Sequence, residues 1–192
     1  MTGVRTGVFP GTFDPFTNGH LDLTRRAARL FDRVVIAVAH NAAKTSLFTP
    51  EERVEMIESS IRGLKGASAI HFTGLLVDCA KRIGAQVIIR GLRAVSDFEF
   101  EFQMALMNRR LSPSLEVAFL MPSQQYTYLN STLVKEVARL GGSPRGLVPR
   151  VVEERLRAEF APSSPAPARA AASPRAGGAA ARRPPAVRGR RR

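Results

Sequence analysis

Gly11-Thr12-Phe13-Asp14-Pro15-Phe16-Thr17-Asn18-Gly19-His20 follows an apolar start (Val4, Val8, Phe9) and precedes an amphipathic stretch, so it lies on a strand-to-helix turn. Turns of this kind hold nucleotide phosphates, because the free amides that open the next helix carry partial positive charge. Gly11 permits close backbone approach, and Gly19 leaves no side chain between the His20 imidazole and whatever lies over the helix start. A histidine there adds a donor. The run points to the handling of polyphosphate.

Outward from this turn, the pattern alternates. Residues 33–39 (RVVIAVA) form a continuous apolar run, as expected of a strand covered on both faces, and residues 86–89 (QVII) and 116–120 (EVAFL) read similarly. Leu23, Ala27, Leu30 and Phe31 recur at helical spacing, as do Val54, Ile57, Ile61 and Leu64, and these are expected to be buried helix faces. Thr49 and Glu52 make a capping box with Pro50 at the first helical position, and Ser96 with Glu99 repeats the box. Further helices are expected over 76–83 before Gly84, over 97–110, over 131–140 before Gly141-Gly142, and after Pro149. Five strands alternating with helices predict right-handed crossovers and a Rossmann-like, doubly wound parallel sheet, an α/β fold with helices on both faces. Ligands of such sheets bind at the carboxyl ends of the strands, near the topological switch point.

With 192 residues, 44% of them hydrophobic, the chain can form one domain with a real core, and two are not expected. Cys79 is the single cysteine, which excludes an internal disulfide. The start MTGVRTGVF lacks the regions of a signal peptide, and no apolar run approaches the roughly 20 residues of a membrane helix, so a soluble cytoplasmic protein is expected. The net charge of +13 is unevenly placed: residues 161–192 hold eight arginines and no acid, leaving 21 basic and 16 acidic residues in 1–160. The domain is therefore expected over 1–160. The Ala/Pro/Arg-rich segment 161–192 has no large hydrophobe except Val187, cannot bury a core and reads as disordered. It is either a solvated appendage reflecting a GC-rich coding sequence, which is the preferred reading, or a weak binder of nucleic acid or another polyanion, or a specific regulatory contact.

The polar residues fall where the strand-end rule places them. Thr12 follows the first strand; His40, Asn41 and Lys44 follow the second; Arg90 and Arg93 follow the fourth; Ser123 through Thr132 follow the fifth. Three cations, several hydroxyls and helix amino termini on one edge make a site for phosphorylated ligands. No G-x-G-x-x-G or G-x-x-x-x-G-K-[ST] loop is present, so neither nicotinamide-cofactor nor P-loop chemistry has support. Cys79, beside Leu76, Ala80 and Ile83 on one helix, is expected to be core rather than a catalytic thiol, and His40 and His71 have no metal-like partners. Phe98 and Phe102, at i and i+4, are expected to make core or subunit contact. Arg90 and Arg93 have a second reading, a structural ion network with Asp97 or Glu101.

The strings GTFDPFTNGH, RGLRAVSDFE and STLVKEVA, in this order and at these separations, resemble bacterial phosphopantetheine adenylyltransferases over about residues 4–158. Thr17, Gly19 and His20 alone mark only the wider nucleotidylyltransferase superfamily with its T-x-G-H element; RGLR followed by Asp97, Phe98, Glu99 and Glu101 narrows the likeness. The resemblance implies transfer of AMP from ATP to 4′-phosphopantetheine, giving dephospho-coenzyme A and pyrophosphate, the penultimate step of coenzyme A biosynthesis. It implies that His20 stabilises the pentavalent α-phosphate and that Thr12 touches both the nucleotide and the attacking phosphate. Lys44 and Arg90 match residues that grip the acceptor phosphate, and Leu76 matches a contact to the pantetheine arm. Phe13, Gly91, Leu92, Arg93 and Glu101 match ATP contacts, Arg93 reaching phosphate oxygens. Tyr126, Thr127, Tyr128, Leu129, Asn130, Ser131 and Thr132 match the loop and helix start that bind adenine and the β- and γ-phosphates, with Ser131 and Thr132 as donors. Where the family often has three serines this chain has Asn130-Ser131-Thr132, and Asn130 is a good N-cap. The resemblance further implies Mg2+ held mainly through the ATP phosphates, a homohexamer, and coenzyme A as a feedback inhibitor.

Overall fold

The computed structural model describes residues 3–40 and 45–161, apart from the side chains of Val95 and Ser96. Asn41, Lys44 and the basic segment beyond Ala161 lie outside the described residues. Five strands form one sheet: β1 (Thr6–Gly11), β2 (Arg33–Ala39), β3 (Ala67–Phe72), β4 (Val87–Gly91) and β5 (Glu116–Leu120), all parallel, in the order β3-β2-β1-β4-β5. The helices are α1 (Asn18–Ala27), α2 (Pro50–Ser60), α3 (Leu76–Ile83), α4 (Val95–Leu111), α5 (Ser131–Arg139) and α6 (Arg150–Glu159), with one 3-10 turn at Gln124–Tyr126. After β3 the chain crosses back to the other side of β1, so the switch point lies between β1 and β4.

The apolar runs are strands because both of their faces are covered. Val34, Val35, Ile36, Ala37 and Val38 of β2 are wholly buried. Alternation divides the core: Phe9, Ile36 and Ile89 face a cluster with Leu21, Met56, Ile57, Val134 and Leu156 from α1, α2, α5 and α6. Val8, Ala37 and Ile88 face Val77, Cys79 and Ala80 of α3 on the other side.

Most element boundaries fall where local signals put them. The Thr49–Glu52 capping box forms at α2, with Pro50 at its start, and Gly84 ends α3 in the left-handed conformation at φ 70°. Three expectations are corrected. Leu30 and Phe31 lie past the end of α1, and Leu30 is exposed, because the chain must turn into β2 at Arg33. Helix α4 starts at Val95 with Ala94 as its N-cap and no side-chain capping bond, so Ser96 is inside the helix and does not cap it. Phe98 and Phe102 stack on each other with ring centroids 5.7 Å apart yet are about half exposed, so of the two expected roles, core or subunit contact, the core one is excluded.

The β1–β2 ladder joins six residue pairs, Thr6–Arg33 through Gly11–Val38, whereas β1 and β4 pair only at Gly7–Val87 and Val8–Ile88. Beyond Val8 these two strands splay. The split opens at the carboxyl ends of the strands, where the turn that follows Gly11 meets Arg90.

Candidate active site at the switch point

The turn after β1 is built around a ring of aromatic groups. Phe13 has φ 51°, in the left-handed region that non-glycine residues disfavour, and its ring packs edge-on to Phe9, Phe16 and His20 at centroid distances of 5.3, 5.7 and 5.0 Å. A Cβ on Gly11 would lie 2.8 Å from the Phe13 ring. The room over Gly11 is therefore taken by Phe13, which corrects the expectation of a ligand approaching there. Gly19 is likewise in ordinary contact with Tyr126, whose Cβ would sit 3.5 Å from an added methyl.

His20 occupies the third position of α1 and closes a reciprocal cap with Thr17. The Thr17 N–H donates to His20 Nδ1 at 3.0 Å, and the His20 N–H donates to Thr17 Oγ1 at 3.3 Å. Because Nδ1 accepts, the neutral ring carries its hydrogen on Nε2. Burial, together with the nearby Arg93 charge, lowers the His20 pKa to about 4. At neutral pH the side chain is thus an uncharged Nε2–H donor with one fixed orientation.

The cations beside it are held by carboxylates. Arg90 lies within β4, one residue before its end, and not after it. Its Nη1 donates to Pro10 O at 3.0 Å, supplying a partner to a carbonyl that the β1–β4 splay leaves off the ladder. Its Nε and Nη2 donate to both oxygens of Glu101. Arg93 donates to both oxygens of Asp97, at 3.1 and 3.3 Å, and through Nη1 to Leu129 O at 2.9 Å. The ion network expected of Arg90 and Arg93 is therefore present, and each acid fixes the orientation of its guanidinium. Leu76, Arg90, Glu101 and Asn108 line a small cavity of about 70 Å³ beside β4.

The connection after β5 closes the opposite side. Asn130 caps α5, its Oδ1 accepting from Leu133 N–H at 2.7 Å, as the asparagine at that position predicts. Ser131 Oγ donates to Pro15 O at 2.8 Å, which ties α5 to the turn after β1 and commits that hydroxyl. Thr127 Oγ1 donates to Gln124 O. Leu129 and Phe13 are core side chains, available to a ligand through main-chain atoms only, while Tyr128 and Thr132 are exposed and Tyr126 is half-buried. Leu92 N–H donates to Leu120 O, holding the Gly91–Arg93 segment beside the end of β5.

Some residues of the assembly carry no motif. Asp14, 4% exposed, accepts from the Leu47 and Phe48 amides at 2.9 and 3.0 Å and from Lys135 Nζ at 2.7 Å. It joins the turn after β1 to the approach to α2 and to α5. Asp22 joins α1 to the β5 side by accepting from Ser123 N–H, Ser123 Oγ and Arg26; these bonds outweigh the opposing effect of burial and leave its pKa below the ordinary carboxylate value. Arg53 is buried on the core face of α2, next to Met56 and Ile57. An arginine in an apolar helix stripe is the signal that was there to be read. Cys79 is buried and its thiol pKa is pushed up by burial, although a hydrogen bond from Arg82 opposes the shift. Among the described residues no group of three or more His, Cys, Asp or Glu gathers, and no helix is long and apolar enough to cross a membrane.

Comparison with known proteins agrees with this geometry. A family model described as cytidylyltransferase-like matches residues 8–137. The phosphopantetheine adenylyltransferase of Syntrophus aciditrophicus is 50% identical over 156 residues, covering 81% of this chain and 94% of that one. Its counterpart in Thermodesulfovibrio yellowstonii is 53% identical over 157 residues, covering 81% and 98%. The crystal structure of a Vibrio parahaemolyticus protein described as a candidate nicotinate-nucleotide adenylyltransferase superposes with a TM-score of 0.61 at 15% identity, over 81% of this chain and 93% of that one, a likeness of fold.

Proposed function

The chain belongs to the phosphopantetheine adenylyltransferase family of cytidylyltransferase-like proteins, and on that premise we propose that it joins ATP to 4′-phosphopantetheine by direct in-line attack, releasing pyrophosphate. The observation that carries this reading is the meeting of His20, Arg90, Arg93 and the amino terminus of α5 around the β1–β4 split. The acceptor phosphate is already an anion, so the reaction asks for no general base and no protein nucleophile. It asks that two anions be held together against repulsion and that charge developing on the α-phosphate meet preplaced donors.

In this reading Arg90 and Lys44 hold the acceptor phosphate, and the pantetheine arm runs past Leu76 into the cavity that Asn108 and Glu101 line. Glu101, matched to an ATP contact, acts chiefly by aiming Arg90. Thr12 and the Phe13 amide sit between the two phosphates. The His20 Nε2–H donates to a non-bridging oxygen of the α-phosphate and strengthens as charge accumulates there. Arg93, Gly91, Leu92 and the segment Tyr126–Thr132 take the nucleotide, with the α5 amides on its β- and γ-phosphates and Thr132 adding a hydroxyl. Magnesium, when bound, supplies charge neutralisation on the triphosphate. The carboxylates around the site are committed, Asp14 to Lys135 and two amides, Asp97 to Arg93, Glu101 to Arg90, a donor set that suits an ion brought by the nucleotide.

Helix α4 exposes Phe98, Phe100, Leu106, Met107 and Leu111 and contributes no buried apolar side chain among the described residues, which favours contacts between copies through α4; the family resemblance implies that these copies form a homohexamer. Coenzyme A, carrying the same pantetheine arm, competes for the acceptor pocket as a feedback inhibitor.

The test is pyrophosphate release with ATP and 4′-phosphopantetheine, each omitted in turn, and with CTP in place of ATP. Release that needs both substrates supports the proposal. A preference for CTP assigns the site to a different nucleotidyl transfer.

A further inference from the structure

Arg53 is 2% exposed, and its guanidinium is spent on main-chain carbonyls from three segments. Nη1 donates to Thr12 O at 2.7 Å and, at a longer 3.4 Å, to Ala39 O at the end of β2, while Nε donates to Thr49 O at 3.2 Å. It makes no ion pair among the described residues. The nearest relevant acid, Asp14, has its oxygens on two amides and Lys135. A buried charge without a carboxylate partner is costly, and an apolar side chain would fill the same space more cheaply. The shortest of its bonds goes to the turn that bears Thr12.

That bond has a geometric consequence. In a trans peptide the carbonyl and the following N–H point in opposite directions. Anchoring the Thr12 carbonyl on Arg53 therefore turns the Phe13 N–H away from the guanidinium, and among the described residues that amide has no acceptor. Phe13 also holds φ 51°, which the chain does not adopt unaided.

We infer that Arg53 is a positioning residue: by clamping the Thr12 carbonyl it sets the Thr12–Phe13 peptide, and with it the hydroxyl and amide offered to the two phosphates. This rests on the role proposed above for Thr12. Arg53 touches neither substrate; it acts on the reaction only through that peptide, and lysine, one bond shorter and lacking the fork, cannot replace it.

The test measures kcat and both KM values by pyrophosphate release for wild type, Arg53→Met, Arg53→Lys, Thr12→Val and Arg53→Met with Thr12→Val, alongside thermal melting. Met56→Ala on the same helix face serves as the structural comparison. Expected is a fall in kcat of about 100-fold in Arg53→Met, the size attached to small misplacements of reacting groups, with each KM changed less than about threefold. Arg53→Lys is expected to restore little of it, and Met56→Ala to lower the melting temperature while keeping kcat. In the double variant the loss should fall well short of the product of the single losses, as residues acting through one another show. Multiplicative losses, an equal kcat loss in Met56→Ala, or failure of both Arg53 variants to melt cooperatively would overturn the inference. If wild type itself releases no pyrophosphate, the proposed function falls and takes this inference with it; if wild type is active and the variants match it, this inference alone falls.

Discussion

His20 spends its Nδ1 lone pair on the Thr17 amide, so one ring hydrogen remains, and its direction is set by the helix cap. The cap that starts α1 and the donor proposed to meet the α-phosphate are thus one side chain. His20→Ala is expected to lower kcat by at least 100-fold, the scale on which single preorganised donors act, while the protein stays folded by circular dichroism. The lowered pKa also has a stability consequence. A histidine at about 4 in the folded chain and near 6.5 unfolded binds its proton more readily when unfolded. Its contribution is fully present above 6.5 and is lost as pH falls toward 4. Urea unfolding of wild type and His20→Asn at pH 7.5, 5.5 and 4.5 should show wild-type stability falling more steeply, by on the order of 3 kcal/mol across the window. Equal slopes would mean that the ring is not desolvated.

At the scale of elements, the helix ends do the site's work. Asn130 caps α5 through its own side chain. Asn130→Ala should cost about 1 kcal/mol in urea unfolding, the ordinary worth of a cap, and raise the KM for ATP more than it lowers kcat. The element ends were legible because they are local: Thr49 and Glu52, Gly84 and Asn130 need only their immediate neighbours to form their caps. Ser96 carried the same signal and failed. Helix α4 begins two residues earlier than a Ser96 cap would place it, at Val95, so a local pattern was overridden by where the chain leaves β4.

At the scale of the molecule, α4 is the helix that buries no apolar side chain among the described residues. Seventeen residues long, it leaves Phe100 63% and Met107 55% exposed. A helix so apolar on its outer face is the surface that the proposed self-association would use. If the proposed homohexamer uses this face, Phe100→Asp with Met107→Asp should shift the protein toward smaller species in sedimentation velocity at micromolar concentration. An unchanged sedimentation coefficient would place the contacts elsewhere. Since Phe100 also borders the small cavity beside Arg90, a change in KM for the acceptor is expected to accompany the dissociation.

The amino-acid order alone determined the alternation of strands and helices, the parallel doubly wound sheet and the place of the strand-to-helix turn after β1, because periodicity, caps and a run such as 33–39 are set by residues close in the chain. It also marked His20, Arg90 and Arg93. Their states were decided only in three dimensions. That His20 is neutral depends on burial and on Arg93, 73 positions away. That Arg90 and Arg93 are aimed depends on Glu101 and Asp97 and on the carbonyls of Pro10 and Leu129. The turn's own supports, Asp14 with Lys135 and Arg53 with the Thr12 carbonyl, join residues 121 and 41 positions apart. No local pattern records a buried charge's partner, because the desolvation that makes the partner necessary exists only once the chain has closed around it.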